Sequence, residues 1–430
     1  MKNLLLVCLV HIAFTLTAIA QEQLPPDWIR QHEGIPIEAG LHWDWVTLNP
    51  GAVDSMRMAG VDIVHLSIDN LSQMDTLKNW DSTGFQTLIF RSLEHNWIQY
   101  YTDAKYTVWE AEETQTGVGD ATLERDIEKT DNLGSYIRRK SNLLNSVDTL
   151  IRGPYYRQDV RYYTGNCDTV EYRVDFRMML EQTPPSSPPV ESNPEDTICI
   201  IQVTQSDISD FSTSPWTIGD TYIINQRVVR LEVFTELSQF DTLSLIYTLE
   251  NDSAQLDLPS DIESYRTIIS GSPCDGLIRS RTYIQFKVIW AGKSDNQGYP
   301  AYLLSVDNIT VYDERGDELM DPESDAIDRI IAQDNSLQDY HEYVTGWVGI
   351  DEPRSIDLYE PIRVVTEILE NNTEGGKRPL WFPMAGTWDG AWNNSNPNNL
   401  GAMKLNPIVE LKKRVGKANI IHNSYLFDIP

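Results

Sequence analysis

Residues 344–361 read VTGWVGIDEPRSIDLYEP: an apolar run stops on two adjacent carboxylates, Asp351 and Glu352, and a proline follows. The residues up to Ile350 suit a buried strand, and Pro353 biases Glu352 away from helical geometry, holding its backbone extended. Glu360 and Pro361 then open a segment with Ile362, Val365 and Leu369 on one helical face. A buried strand that passes through a short turn into an amphipathic helix is the repeating unit of a parallel β/α fold.

The unit recurs on both sides of this stretch. Upstream, PIEAGLHW (36–43), VDIVHLSI (61–68) and FQTLIFRS (85–92) read as strands. Asn49 and Pro50 start the first intervening helix and Gly60 closes it; Ser72 caps a second, which carries Met74, Leu77 and Trp80 and ends at Gly84. Downstream, AIDRIIAQ (326–333) is helical, RPLWFPMAG (378–386) a strand, GAMKLNPIVELKKRV (401–415) a helix and KANIIHNSYLF (417–427) a sixth strand.

Between the two runs the period changes. From Tyr106 to Tyr312 the apolar residues alternate with polar ones in VEYRVDFRMML (170–180), TICIIQVTQ (197–205), RVVRLEVFTEL (227–237), YIQFKVIWAG (283–292) and LLSVDNITVYD (303–313). Half-buried antiparallel strands show that alternation. The proline cluster in PPSSPPVESNP (184–194) marks a surface loop. The sequence therefore predicts a β-sandwich set between the third and fourth strands of one α/β domain. The expected division is a signal peptide over 1–20, α/β over 21–100, the inserted sandwich over 101–320 and returning α/β over 321–430.

The strand count is six, whereas a (β/α)8 barrel has eight strands and about 250 residues. The expectation is an incomplete barrel-type domain, truncated at Pro430. An open doubly wound sheet is the alternative.

MKNLLLVCLVHIAFTLTAIA (1–20) combines one lysine, an apolar run and small residues at Ala18 and Ala20. That pattern predicts a secretory signal and a secreted, periplasmic or cell-surface protein; a membrane anchor would need a longer apolar run. The formal net charge is −30. So acidic a chain disfavours nucleic acids and anionic lipid, whose phosphates need lysine and arginine. Cys167, Cys199 and Cys274 match no zinc spacing and allow at most one disulfide. No serine elbow, HExxH or phosphate-cradling glycine loop is present, which leaves lipase, metalloprotease and nucleotide readings without support.

Catalytic groups of a parallel barrel sit at the carboxyl ends of its strands, where Asp351 and Glu352 fall. GWVGIDEP resembles the fourth-strand end of secreted TIM-barrel glycoside hydrolases, and the resemblance implies Glu352 as general acid/base with Asp351 orienting it or binding a hydroxyl. The same residues would also serve as an acidic turn that initiates a helix. A retaining glycosidase needs a second carboxylate about 5–5.5 Å away. The family places it at a seventh strand, so this chain alone is expected to be inactive.

Other strand ends supply candidate sugar contacts: His42, Trp43, Asp44 and Trp45; Asp69; Arg91 and Glu94; Trp388, Asp389 and Trp392; and Tyr425. Sugars stack their apolar faces on aromatic rings and offer hydroxyls to carboxylates and amides. His65, inside an apolar run, reads as a core residue. YTVWEAEE (106–113) and LLSVDNITVYD resemble the first and last strands of jelly-roll carbohydrate-binding modules. In some of those families an early glutamate helps hold a structural calcium, a role open to Glu110 and Glu112, but surface-strand acids are far commoner; no cofactor is expected. GPYYRQDVRYY (153–163) is a candidate sugar-binding face or an edge loop. The leading expectation is a secreted carbohydrate-active protein that binds or cleaves a polysaccharide or oligosaccharide. The alternatives are a non-catalytic carbohydrate-binding or cell-surface protein with a degenerate site, and a hydrolase of another substrate.

Overall fold

A computed structural model describes residues 38–42, 63–68, 86–91, 96–110, 115–116, 137–139, 148–152, 156–157, 171–182, 193–210, 217–248, 267–268, 278–279, 283–291, 301–342, 344–350, 353, 356–372, 378–384, 392–393, 403–404, 415–416 and 419–422. Three strands come first: β1 (Glu38–His42), β2 (Ile63–Ile68) and β3 (Gln86–Arg91), followed by helix α1 (Trp97–Thr102). The central block holds β4 (Tyr106–Glu110), β5 (Gln115–Thr116), β6 (Ile137–Arg139), β7 (Asp148–Arg152), β8 (Tyr156–Arg157), β9 (Glu171–Gln182), β10 (Thr197–Asp210) and β11 (Thr217–Arg230). It continues through β12 (Phe240–Thr248), β13 (Thr267–Ile268), β14 (Ile278–Arg279), β15 (Tyr283–Trp290) and β16 (Tyr302–Asp313). Then come α2 (Glu314–Met320), α3 (Ala326–Asn335), β17 (Gly346–Val348), α4 (Tyr359–Asn371), β18 (Leu380–Met384), β19 (Trp392–Asn393), β20 (Met403–Lys404) and β21 (Asn419–His422).

The outer strands form one parallel sheet in the order β1-β2-β3-β17-β18-β21. Spatial order equals chain order, so each strand adds on the same side. A doubly wound sheet reverses at a switch point, and these six strands show no reversal. Among the described residues no pairing joins β21 to β1. β3 and β17 are direct neighbours, Leu88 opposite Gly346 and Ile89 opposite Trp347, although the whole central block lies between them in the chain.

That block forms two antiparallel sheets, β11-β10-β15-β7-β5 with β8 beside β15, and β12-β9-β16-β4 with β6 beside β16. Their inner faces meet in one core. Tyr172, Val174, Phe176 and Met178 of β9 and Leu243, Leu245 and Tyr247 of β12 face Ile201, Val203, Ile284, Phe286 and Val288. Tyr247 stacks on Tyr172 at 5.4 Å and meets Phe286 of the opposite sheet at 6.2 Å. The core runs on without a break through Ile98, Tyr101, Ile330, Ile362, Val365 and Leu369 to Trp347 and Leu380 of the parallel sheet.

Where the chain enters and leaves the central block, four charged side chains are buried together. Lys105 Nζ donates to Asp103 at 3.2 Å, and Arg315 donates to Asp103 at 3.0 Å and through Nε to Asp313 at 3.1 Å. Asp313 also caps α2 by accepting from the Gly316 amide at 2.8 Å, and it accepts the Lys105 amide at 2.9 Å. Gly316 has no room for a side chain, because a Cβ there would lie 2.0 Å from the Lys105 carbonyl oxygen. On the parallel-sheet side Asp334, fully buried, accepts from Trp347 Nε1 at 2.7 Å, Arg378 Nε at 2.8 Å and Asn372 at 2.8 Å.

Three local expectations change. The strand expected over 227–237 ends at Arg230; a 3-10 turn follows over Leu231–Val233, and Ser238 takes a left-handed φ of 67° before β12. Within the helix expected over 401–415, Met403–Lys404 instead pairs antiparallel with Trp392–Asn393. Helices α1 and α2 were not expected from the sequence. The helices expected after β1 and β2 lie outside the described residues.

Arg315→Met leaves two carboxylates buried without their shared cation, so it should cost about 3–5 kcal/mol in a chemical-denaturation midpoint series. Gly316→Ala, which forces backbone apart, should lose about 1–3 kcal/mol in the same assay. Wild-type stability for either variant would contradict the packing described here.

Candidate functional site

The parallel strands bring their carboxyl ends to one edge: His42, Ile68, Arg91, Val348, Met384 and His422 are the terminal strand residues there. His42 and Arg91 thus occupy that edge as the last residues of β1 and β3. Asp69 follows β2 directly in sequence, and Asp351 and Glu352 follow β17 by way of Gly349 and Ile350. Trp43, Asp44, Trp45, Asp69, Glu94, Asp351, Glu352, Trp388, Asp389 and Tyr425 lie outside the described residues. Trp392 sits in β19, opposite Lys404. Of the aromatic face expected over 153–163, Tyr156 and Arg157 pair with β15 and the rest lies outside the described residues.

The approach to Asp351 is described in detail. The Ile350 amide donates to Thr102 Oγ1 at 3.1 Å, Gln99 Nε2 donates to the Gly349 carbonyl at 3.4 Å, and the Gly349 amide donates to the Trp381 carbonyl at 2.8 Å. Pro353 is buried. Helix α1 therefore holds the backbone that leads out of β17, and Asn96 holds α1 in turn, capping it and accepting from Gln333 at 3.0 Å.

A second arrangement is built from side chains on the outer face of β12-β9-β16-β4. Even-numbered residues of β9 fill the core, so Arg173, Asp175 and Arg177 project from the other face. In register beside them stand Ile246, Ser244 and Thr242 on β12 and Tyr312, Thr310 and Asn308 on β16. Tyr106, Val108 and Glu110 on β4 complete the rows. With Asp317 and Met320 of α2 and the following Asp321, these strands line a cleft of about 450 Å³, within the usual size of small-molecule sites.

Asp175 organises its centre. It accepts from Tyr312 Oη at 2.7 Å, Ser244 Oγ at 2.5 Å and Arg173 Nε at 3.1 Å, and Arg173 also donates to Ser244 at 3.0 Å. Tyr312 stacks on Tyr106 with centroids 6.0 Å apart and planes 24° from parallel, and Arg173 lies 5.7 Å over the Tyr312 ring. Arg177 pairs with Asp307, buried at a bulge of β16, and sits 4.6 Å over Phe240. Tyr312, buried and hydrogen-bonded to Asp175, is thus held in place without a ligand. Burial, then its hydrogen bond to Asp175, pushes the Tyr312 phenol well above its ordinary value. Burial, then Glu360, Asp317 and Asp175, raises Tyr106.

Sequence reading did not single out this cleft. Its signal was present: Arg173, Asp175 and Arg177 recur at every second residue of one strand, which places three charges on one face. Nothing local says that Tyr106 and Tyr312, far apart in the chain, close the same row. Glu110, read either as a surface acid or as a calcium ligand, lies beside Asn308 in register. Among the described residues no group of three His, Cys, Asp or Glu side chains stands close enough to hold a metal. Glu112 lies outside them. Cys199 is a buried free thiol, whose pKa burial pushes up.

Tyr100, Tyr101, Tyr106 and Tyr312 all have phenols raised first by burial. A raised phenol contributes stability in full below the ordinary value near 10, and loses it as pH climbs through the folded-state value. Unfolding free energy should therefore hold up to about pH 10 and fall beyond it. Tyr312→Phe should lose about 1 kcal/mol at neutral pH and flatten the alkaline fall; an unchanged alkaline slope would contradict the assignment.

No family model matches the chain, and no curated protein matches it. Solved structures that match include a candidate glycoside hydrolase from Bacteroides thetaiotaomicron, at 9% identity over 47% of this chain and 70% of that one, with a TM-score of 0.20. A carbohydrate-binding module of a family 9 glycoside hydrolase from Ruminococcus flavefaciens matches at 10% identity over 49% of this chain and 99% of that one, TM-score 0.15. A glycosylation-associated protein complex from Streptococcus agalactiae matches at 8% identity over 74% and 91%, TM-score 0.19. The names describe those proteins, and overlaps this slight bear on neither the fold nor the chemistry of this one.

Proposed function

We propose that the chain is a secreted carbohydrate-active protein that holds a polysaccharide or oligosaccharide in the cleft on the outer face of β12-β9-β16-β4. The observation that carries this reading is the half-buried Tyr106 ring, backed by the buried Tyr312, which lines the same cleft as the short polar side chains of Thr242, Thr310 and Asn308. A sugar ring presents an apolar face to an aromatic side chain and hydroxyls to such groups. The cleft is already ordered by Asp175, so little side-chain freedom is lost on binding.

The parallel sheet belongs to the same proposal as a glycoside-hydrolase-like, barrel-type half, with six strands added in chain order. Glu352 is the proposed general acid/base and Asp351 its orienting neighbour, at the end of a strand whose exit is held by Thr102 and Gln99. Export through residues 1–20 completes the reading. The second reading, a protein that binds glycans without cleaving them, is favoured by the location of the cleft, which needs no catalytic acid.

Affinity electrophoresis of the purified chain through a panel of polysaccharides separates these readings. At least one glycan should retard it, Tyr106→Ala should weaken that interaction by about tenfold, and Glu352→Gln should leave it unchanged. Release of reducing ends that disappears in Glu352→Gln supports the hydrolase; retardation without release supports the binding protein; retardation by no glycan overturns both.

A further inference from the structure

We infer that the cleft selects glycans free of carboxylate and sulfate groups and turns away uronate-bearing and sulfated ones, an inference that rests on the carbohydrate reading above. The argument is the charge left over once internal pairs are formed. Among the side chains described on this face, the arginines are committed to protein carboxylates, Arg173 to Asp175 and Arg177 to Asp307. Asp317 and Asp321, on the α2 side of the cleft, are exposed, and among the described residues neither pairs with a cation. Asp321 Oδ1 accepts only the Glu323 amide, at 2.9 Å.

Glu110 stands beside Asn308 on the far edge, and Glu360 is close enough to raise the Tyr106 phenol. Glu360 is itself engaged by Arg363 on its own helix, which also pairs with Glu367. The side chains described around the cleft thus present neutralised pairs and, on the α2 side, the exposed carboxylates of Asp317 and Asp321. An anionic sugar would have to displace Asp175 or Asp307 from its arginine, or lie against Asp317 unpaired; like charges juxtaposed at an interface are strongly disfavoured. A neutral glycan meets neither penalty, and Asp317 can accept its hydroxyl protons.

The test uses the intact chain and the neutral polysaccharide that retards it most, compared with the same polymer after oxidation of its primary hydroxyls to carboxylates, alongside polygalacturonate and a sulfated galactan. The oxidised polymer should bind at least about tenfold more weakly at low ionic strength. The gap should narrow as salt rises, because exposed charges are screened within about 10 Å at 0.1 M. The double variant D317N/D321N should recover most of the loss for the oxidised polymer, with a far-ultraviolet circular dichroism spectrum matching the wild type to show that it is folded. Equal or tighter binding of an anionic polymer by the wild type, or a gap that the double variant leaves intact, overturns the charge selection and leaves glycan binding standing. Binding to no polymer of either kind overturns both.

Discussion

The cluster of Asp103, Lys105, Asp313 and Arg315 fixes how the two parts of the chain meet. Two carboxylates and two cations, all shielded from water, balance one another, and the penalty of desolvating them is offset only because every member has a partner in place. The cluster joins the residues just before β4 to those just after β16, the two points at which the chain crosses between the parallel sheet and the antiparallel block. Apolar packing alone would tolerate a range of angles at such a junction. Charges that must find their partners do not.

From that junction order spreads in two directions. Toward the parallel sheet, α1 hands it on through Thr102 and Gln99 to the backbone of Gly349 and Ile350, while Asp334 ties Trp347, Asn372 and Arg378 to the end of α3. Toward the antiparallel block, β4 and β16 leave the cluster side by side and carry Tyr106 and Tyr312 into the cleft. The ring pair that lines the cleft thus begins one residue from Lys105 on one strand and one residue from Asp313 on the other. The carbohydrate proposal and the strand-end acid depend on the same small volume of buried charge.

Much of the architecture was legible in the sequence because it rests on period. VDIVHLSI and FQTLIFRS read as buried strands and pair in parallel; EYRVDFRMML alternates and forms β9 with one face in the core. What was not legible depends on partners distant in the chain. Helix α1 is six residues long, too short for its pattern to register; its cap, Asn96, is local, but the contacts that hold it come from Gln333, Gly349 and Ile350. The cleft escaped for the same reason, since Arg173 and Asp175 read as ordinary surface charges until β12 and β16 supply Ser244 and Tyr312. The acidic pair at 351–352 was conspicuous by composition, and its placement lies outside the described residues.

The adjacency of β3 and β17 has a consequence for how the molecule is assembled. Leu88 cannot meet Gly346 until the long stretch between them has been drawn together, and closing so large a loop as random chain carries a substantial entropic cost. The antiparallel block removes most of that cost by its own topology, because β4 and β16, its first and last strands, are hydrogen-bonded neighbours. Once the block has folded, its two ends emerge at one point, and the parallel sheet joins across it as though the chain were short. Only the junction of β3 with β17 gains from this arrangement, since β1, β2 and β3, like β17, β18 and β21, pair with strands near them in the chain.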